Sequence, residues 1–279
     1  MSVATVDGLV TLFYDGSKKL WNYELDEEWE DQLAEHHEDE DFSEWESWDL
    51  SNECKRYVRE RQSWQQIIVV EGVTEITEAT FSLCFNIQRV ILASTVIQIH
   101  KFAFFRCTSL VYIKWSVNLE FIGYKSFDQC NFSSVFLPPT CRIVQLWAFA
   151  ENKNLNIFNI PQDTEFEGFP FILSKFVEKC PFRNSPTLSY SADCEEANTW
   201  MKNINNHEDY ALHRVCSSYR PLKEIIMSII EKKGLGAFKT ENSIGITPSQ
   251  YLKENPYTDV TEQDIIHDYL MKMLGEVVV

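Results

Sequence analysis

Cysteines recur at a spacing that could build a metal site or a disulfide ladder. Cys84, Cys107 and Cys130 lie 23 residues apart, and Asn152 follows after a further 22. Thiolates bind zinc and act as nucleophiles, but only where their surroundings favour the charged form. Each of these cysteines shortly precedes an apolar, strand-like pattern, where small buried side chains are expected. We therefore interpret them as packed, reduced thiols, because a free cysteine behaves as a small hydrophobe.

A second pair of residues has the composition of a base and a nucleophile. His213 and Cys216 lie three residues apart on a presumed helix and could share one of its faces. The sequence shows neither a third residue to orient them nor an oxyanion device. A packing role for His213 is the stronger interpretation.

Two weaker patterns suggest metal or nucleotide binding. His36 and His37 lie among carboxylates, but neighbouring His side chains point apart and would not share one ion. Gly234 and Gly236 form a lone G-x-G without the third glycine or the preceding strand of a dinucleotide site. We predict no cofactor, no metal site and no enzymatic activity.

The elements that position all these residues follow from an internal repeat. The dipeptides Thr80-Phe81, Ala103-Phe104, Ser126-Phe127 and Ala148-Phe149 recur at intervals of 23, 23 and 22 residues. Six further columns, meaning equivalent positions in successive repeats, keep the same frame. They are Cys84, Cys107, Cys130 and Asn152; Ile87, Leu110, Phe132 and Leu155; Val90, Ile113, Val135 and Phe158; Leu92, Trp115, Leu137 and Ile160; Val73, Val96, Leu119 and Cys141; and Ile76, Ile99, Ile122 and Val144. Seven columns in register predict a solenoid of stacked coils of about 23 residues.

Each coil is predicted to contain a short strand. The positions from Ile87 through Val90 to Leu92 include the alternation of a strand with one buried face. Successive coils would pair these strands in parallel, about 4.8 Å apart. A single coil buries too little apolar surface to offset the entropy of ordering its backbone, so the coils must stack.

The coil sequence resembles that of the BspA-like leucine-rich repeat proteins. The segment Cys107-Thr108-Ser109-Leu110-Val111-Tyr112-Ile113 matches closely, as do Ile122-Gly123 and Ser126-Phe127 after it, and Phe136-Leu137-Pro138-Pro139 is similar to the same pattern. The flanking segments 12–16, 211–218 and 245–252 resemble a version of the family multiplied in diatoms. The resemblance implies a binding scaffold and supplies no catalytic residue.

Pattern and composition divide the chain into four parts. We expect an acidic N-terminal flank or cap at 1–62, about five leucine-rich-repeat coils at 63–170, a linker at 171–200 and a helical, ankyrin-like cap at 201–279. The predicted fold class is an α/β repeat: a leucine-rich-repeat-like solenoid with short parallel strands, followed by a small α-helical C-terminal region.

The sequence after Ile160 indicates where the repeat ends and where two C-terminal helices begin. The inward column is expected to fail after Ile160, where the chain reads Gln162-Asp163-Thr164-Glu165-Phe166-Glu167, so the solenoid is predicted to end there. Thr247-Pro248 predicts a helix N-terminus with Pro at the first helical position. Thr261 and Asp264 resemble a capping box for a second helix.

Side chains between the buried columns point to the opposite face of the sheet. The register places Arg89, Ile91, Tyr112, Lys114 and Phe136 on that face. Exposed aromatic and Arg side chains are typical of residues that dominate binding energy. We predict that these five residues contact a protein partner, unless the N-terminal flank or the acidic segment of the chain covers them.

The predicted function is a protein–protein interaction scaffold that uses this strand face. The alternative is an enzyme or enzyme regulator with a site at the junction of the solenoid and the C-terminal helices, where a cleft could form. Clustered polar residues with shifted pKa values at that junction would favour the alternative. Cell-surface adhesion, a third interpretation, is disfavoured because the N-terminus lacks the pattern of a signal peptide.

The chain is strongly acidic, with 42 acidic and 25 basic residues and a net charge of -17. Fourteen of the acidic residues lie between Glu24 and Asp49, a stretch without Lys or Arg, where Leu25, Trp29 and Leu33 could form one apolar helix stripe. This charge disfavours nucleic acids and anionic membranes. Because the N-terminus lacks the pattern of a signal peptide and no apolar run could span a bilayer, we expect a cytoplasmic protein. We also expect it to be monomeric.

Overall fold

The computed structural model describes residues 2–6, 9–13, 19–20, 56, 59–159, 161, 163–168, 170–171, 199–200, 203–204, 210–218 and 221–277. The predicted acidic helix stripe, the His36 and His37 pair and nearly all of the predicted linker lie outside these residues. The chain divides into two compact units, Met1–Asn131 and Phe132–Val279, so the division falls inside the repeat.

The main sheet of the first unit takes one strand from each coil. In spatial order its strands are β1 (Ser2–Val6), β2 (Leu9–Phe13), β4 (Gln66–Val69), β6 (Arg89–Ile91) and β8 (Tyr112–Lys114). The β1–β2 pair is an antiparallel hairpin, and the later pairs are parallel. Equivalent residues lie opposite one another, with Val90 between Ile67 and Ile113.

A second set of strands in the first unit is shorter. Its members are β3 (Lys19–Leu20), β5 (Glu75–Ile76), β7 (Gln98–Ile99) and β9 (Phe121–Ile122), paired in parallel. Because β2 pairs with β4 and β3 pairs with β5, the N-terminal flank supplies an additional partial coil. The repeat predicted from the sequence begins at residue 63 and does not include this coil.

A third ladder of hydrogen bonds joins neighbouring coils at the turn before each cysteine. The N–H groups of Ala79, Phe81 and Leu83 donate to carbonyls of the next coil, at 3.1, 2.8 and 2.8 Å. Eight residues of these turns have positive φ without being glycine. They are Ala79, Leu83, Phe102, Arg106, Lys125, Gln129, Trp147 and Glu151. Left-handed backbone costs about 1 to 2 kcal/mol per residue, and the net gain of about 1 kcal/mol from each ladder bond offsets much of it.

The buried columns of the repeat are confirmed. Apart from half-buried Thr80, no described member of the seven columns is more than 5% exposed. Phe104 stacks between Phe81 and Phe127, with ring centroids 5.1 Å away on each side. Trp64, which precedes the first strand of the predicted repeat region, is half-buried.

Two parallel strand pairs form the coils of the second unit. These are β10 (Ser134–Phe136) with β12 (Ile157–Asn159), and β11 (Ile143–Gln145) with β13 (Glu165–Glu167).

The predicted failure of the repeat after Ile160 is wrong, because β13 keeps the frame with Phe166 opposite Val144. Thr164 takes the position of Cys141 and donates its hydroxyl to the Cys141 carbonyl at 2.7 Å. Phe171 continues the Phe column, stacking on Phe149 at 5.8 Å.

Helices follow the coils in the second unit. They are α1 (Ala211–Cys216), α2 (Lys223–Lys233), α3 (Pro248–Glu254) and α4 (Glu262–Val277), with a 3-10 helix at Leu235–Lys239. The α1 helix packs against α2 and α3, and α2 packs against α4. Thr247 and Gln250 form a capping box at the start of α3, which confirms that predicted N-terminus. Thr261 and Asp264 exchange the equivalent hydrogen bonds before α4.

Removing one ring from the Phe column tests whether stacking holds the coils together. Phe104→Ala leaves a cavity between Phe81 and Phe127, and we expect the free energy of unfolding to fall by about 3 to 5 kcal/mol in urea titrations. Ile91→Glu, at a half-buried position on the strand face, should cost less than about 1 kcal/mol. A large loss for Ile91→Glu would mean that this side chain is not on the open face.

The positive-φ turns give a second stability test with a matched residue type. Gln129 has φ 57°, so Gln129→Gly relieves backbone strain and should be neutral or stabilise the fold by up to about 1 kcal/mol. Gln98→Gly, within β7, should destabilise by about 1 kcal/mol because glycine loses more entropy in a strand. Thermal unfolding measures both variants. Equal destabilisation of the two variants would contradict the strain assigned to Gln129.

Candidate functional site

The strand face of the first unit presents two short rows of side chains. One row is Gln66, Arg89 and Tyr112, and the other is Ile68, Ile91 and Lys114, with the members of each row paired across β4, β6 and β8. We call these six residues the open strand face. Val90 and Ile113 point the other way and are buried, which fixes the sidedness of the strands.

Four of the five residues predicted to bind a partner lie together on the open strand face. Arg89 and Lys114 are exposed, whereas Ile91 and Tyr112 are half-buried. Their predicted orientation is confirmed, and their role in binding stays a prediction. Exposed cations beside partly covered apolar surface give a binding surface both charge and contact area.

Arg89 is held in place by its neighbour in the row. Its guanidinium carbon lies 4.5 Å from the centroid of the Tyr112 ring. The ring face attracts the cation and limits the conformations of a long side chain. A partner that binds Arg89 therefore orders less of this side chain on binding.

Neither cation of the open strand face is neutralised by the described part of the chain. Among those residues, no carboxylate lies within ion-pair distance of Arg89 or Lys114. Other lysines are paired: Lys101 lies 3.0 Å from Glu78, and Lys125 lies 3.7 Å from Asp128. The open strand face is thus a positive surface on a strongly acidic chain.

The predicted exposure of Phe136 is wrong. Phe136 is 1% exposed because α3 lies over this part of the second unit's strand face. Its ring meets Tyr251 edge to face at 6.5 Å, and Ser134 donates its hydroxyl to the Glu254 carbonyl at 3.1 Å. Phe136 is therefore a packing residue between a coil and a helix.

The junction proposed for an alternative site is formed, in its described part, by this same contact. Tyr251 is fully buried there, and neighbouring Ile157 is 4% exposed. The described contact includes the edge-to-face packing of the two rings and the hydrogen bond from the Ser134 hydroxyl to the Glu254 carbonyl.

Sequence reasoning missed a second exposed surface, on the helices of the second unit. Its residues are large apolar side chains that are each at least 45% exposed: Leu222, Ile225, Leu270, Met271, Met273 and Leu274. The signal is the run 270–274, whose apolar residues occupy more than one face of α4. Because exposed apolar patches can mark contact surfaces, a binding experiment must separate this one from the open strand face.

Comparison with known families agrees with the geometry of the coils. The model of a BspA type leucine rich repeat region matches residues 62–188, with six copies. Residues 62–188 are a BspA-type leucine-rich repeat region. The matched region extends beyond the predicted end of the repeat, in agreement with β13 and Phe171. No curated protein matches the chain.

Solved structures of bacterial leucine-rich repeat proteins are similar to parts of the chain. One from T. pallidum is 22% identical over 38% of this chain and 52% of that chain, with a TM-score of 0.33. One from Bacteroides ovatus is 19% identical over 44% of this chain and 41% of that chain, with a TM-score of 0.37. One from Eubacterium ventriosum is 16% identical over 58% of this chain and 40% of that chain, with a TM-score of 0.29. The matches thus span about half or less of those proteins.

The cysteine column of the leucine-rich repeat region is a packing column. Cys107 and Cys130 donate their thiols to the Phe81 and Phe104 carbonyls, at 3.1 and 3.3 Å. Burial raises the pKa of both thiols well above its usual value, and that of Cys84 to about 12. Neutral thiols of this kind neither attack substrates nor ligate zinc.

Asn152 takes the next position of the column with different chemistry. Its amide nitrogen donates to the Phe149 and Ala150 carbonyls, and its amide oxygen accepts from the Phe132 N–H group. The side chain therefore joins two coils by hydrogen bonds where the preceding positions use a thiol.

His213 and Cys216 are buried, and each has a structural environment that differs from that of a base or a nucleophile. Burial lowers the pKa of His213, and its Nε2 is bonded to the Thr240 carbonyl at 2.8 Å, which requires this nitrogen to donate. Burial, followed by the nearby charge of Glu262, raises the pKa of Cys216. A donating imidazole and a neutral, fully buried thiol serve packing between α1 and its neighbours.

Of the two remaining candidate sites from the sequence, the Gly234 and Gly236 pair has a local structural role, and the His36 and His37 pair lies outside the described residues. Gly234 ends α2 with φ 78°, and Gly236 lies in the following 3-10 helix. Within the described ranges, no three His, Cys, Asp or Glu side chains are grouped to hold a metal ion. Nor does any helix in those ranges have the length and apolar character needed to cross a membrane.

The buried imidazole gives a pH-dependent prediction for the second unit. The unfolded chain binds a proton near the ordinary His pKa of about 6.5, whereas burial lowers the pKa of folded His213, which binds a proton only at lower pH. The unfolded state then binds more protons, so the free energy of unfolding should fall as the pH drops through about 6.5. Urea titrations on both sides of that pH should show a smaller fall for His213→Gln, whose amide still donates a hydrogen bond. An equal fall in both proteins would contradict this assignment.

Proposed function

We propose that this chain is a protein-interaction scaffold that binds a partner protein through the open strand face of its leucine-rich repeat region. The observation that carries the proposal is the placement of Arg89, Tyr112 and Lys114 on one exposed sheet face beside half-buried Ile91. These residues offer an ordered cation, an aromatic ring and apolar area within three adjacent strands. Such combinations supply most of the binding energy in protein interfaces.

The family supports the general part of this proposal. Leucine-rich repeats generally serve as scaffolds for protein interaction, because stacked strands create an extended surface whose side chains are not needed for the core. Here the residues of the open strand face lie outside the buried columns. They can therefore be selected for binding with little loss of stability.

The covered strands limit the proposed site to the first unit. Phe136 and Ile157 are buried, so these two positions on the strands of the second unit do not offer an exposed surface. The proposed contact residues are Arg89, Ile91, Tyr112 and Lys114. Phe136 is no longer among them.

Affinity capture with two matched variants tests the proposal. Ile91→Glu places a carboxylate on the open strand face, and we expect it to reduce recovery of the specific partner from native cell extract by at least about tenfold. Removing one central apolar contact commonly costs 1 to 2 kcal/mol or more. Captured proteins are identified and quantified by mass spectrometry.

Leu274→Glu is the matched control, because it changes an exposed apolar residue on the second, helical surface. It should leave recovery of the same partner unchanged. If Leu274→Glu abolishes capture and Ile91→Glu does not, the helical surface binds the partner and the strand-face proposal is wrong.

A further inference from the structure

The charge of the open strand face differs from that of the chain. The protein carries 25 basic against 42 acidic residues, yet two of its cations share this small surface. Elsewhere, described lysines such as Lys223 and Lys272 lie 2.7 Å from the carboxylates of Asp268 and Glu231. Arg89 and Lys114 have no such partner within the described residues, so their positive charge is available to an incoming anionic group.

The spacing of these cations fits an extended chain. Arg89 and Lys114 lie on neighbouring strands, and Lys114 is opposite Ile91, two residues beyond Arg89. Strand geometry puts their Cα atoms about 8 Å apart. Side chains at i and i+2 of an extended peptide lie on one side, about 6.6 Å apart. Two carboxylates at that spacing can face both cations at once.

Apolar surface lies beside the cations. Ile68 and Ile91 are neighbours in one row and are both half-buried, and the Tyr112 ring supports Arg89 from the other row. An apolar or aromatic side chain next to the two carboxylates would contact the isoleucines. The surface therefore offers complementary contacts to both parts of an acidic, partly apolar segment.

We propose, on the basis of the strand-face function, that the partner contributes an extended acidic peptide segment whose carboxylates, two residues apart, bind Arg89 and Lys114. An apolar side chain of the same segment packs on Ile68 and Ile91. A nucleic acid fits less well, because its phosphate backbone is held by many cations and the open strand face has two, Arg89 and Lys114.

A direct titration tests the charge and the apolar contact separately. The probe is a fluorescein-labelled peptide with the sequence GSESESFSESG, and its controls are GSQSQSFSQSG and GSESESSSESG. Fluorescence anisotropy with the full chain should show that the glutamine control binds at least about tenfold more weakly, because two exposed ion pairs are lost. The control without phenylalanine should also bind more weakly. Raising the salt concentration should weaken the binding of the acidic probe and leave the binding of the glutamine control nearly unchanged.

Variants of the protein locate the effect. The double variant Arg89→Gln and Lys114→Gln removes both charges at exposed positions, and it should bind the acidic and glutamine peptides equally. Lys153→Gln removes an exposed cation from another coil and should retain the full preference for the acidic probe. Circular dichroism melts confirm that all three changes leave the fold intact.

Each other outcome has a defined meaning. Equal binding of the acidic and glutamine peptides to the wild-type chain, or an unchanged preference in the double variant, would overturn the proposal. So would tighter binding of a single-stranded thymidine oligonucleotide through Arg89 and Lys114. Displacement of the probe by a peptide of residues 24–49 would support the same recognition chemistry and extend it to this protein's own acidic segment.

If the wild-type chain shows no binding of the acidic probe, the titration is repeated with a second full-length protein. It carries Asp39→Asn, Glu40→Gln and Asp41→Asn, so that its own acidic residues compete less with the probe. If this protein also fails to bind the acidic probe, the proposal is wrong. The capture experiment separates the two proposals, because a partner lost with Ile91→Glu but insensitive to the double charge variant supports the scaffold and rejects the acidic segment.

Discussion

Stacking of one coil on the next is the constraint on which the rest of the structure depends. A coil has only a few apolar side chains, and ordering its backbone costs more free energy than their burial supplies. Neighbouring coils meet this cost together through ring stacking, as between Phe81, Phe104 and Phe127, and through parallel strand pairs. The turns accept positive φ because their N–H groups bond to the next coil.

This constraint also decides which residues remain for function. The cysteines, with the spacing of a reactive cluster, belong to the stack and donate to its carbonyls. The side chains of the open strand face point away from the buried columns, so the stack does not need them. In the second unit α3 covers part of the strand face. In the first unit the side chains of the strand face are exposed or half-buried, as for Arg89, Ile91, Tyr112 and Lys114.

The features that recur in every coil were predicted from the sequence, whereas features that occur once in the chain were missed. A 23-residue period shows in every column, so the pairing of Arg89 with Tyr112 follows from register alone. The part of the fifth coil after Ile160 was missed because Glu165 and Glu167 flank Phe166 and Thr164 replaces an apolar residue, although backbone pairing tolerates both changes. The partial N-terminal coil was missed because a long acidic stretch separates β3 from β4. Burial of Phe136 depends on Tyr251, more than a hundred residues away, and no periodicity reveals such a contact.

Hydroxyl-radical footprinting, read residue by residue by mass spectrometry, tests most directly whether binding uses only the open strand face. In the free protein, Tyr112 should be oxidised readily, while Phe136 and Tyr251 should remain nearly unreacted. The captured partner should protect Tyr112 and Ile91 and leave the apolar residues of α4 as reactive as before. Oxidation of Phe136 in the free protein, or unchanged oxidation of Tyr112 in the complex, would contradict the account.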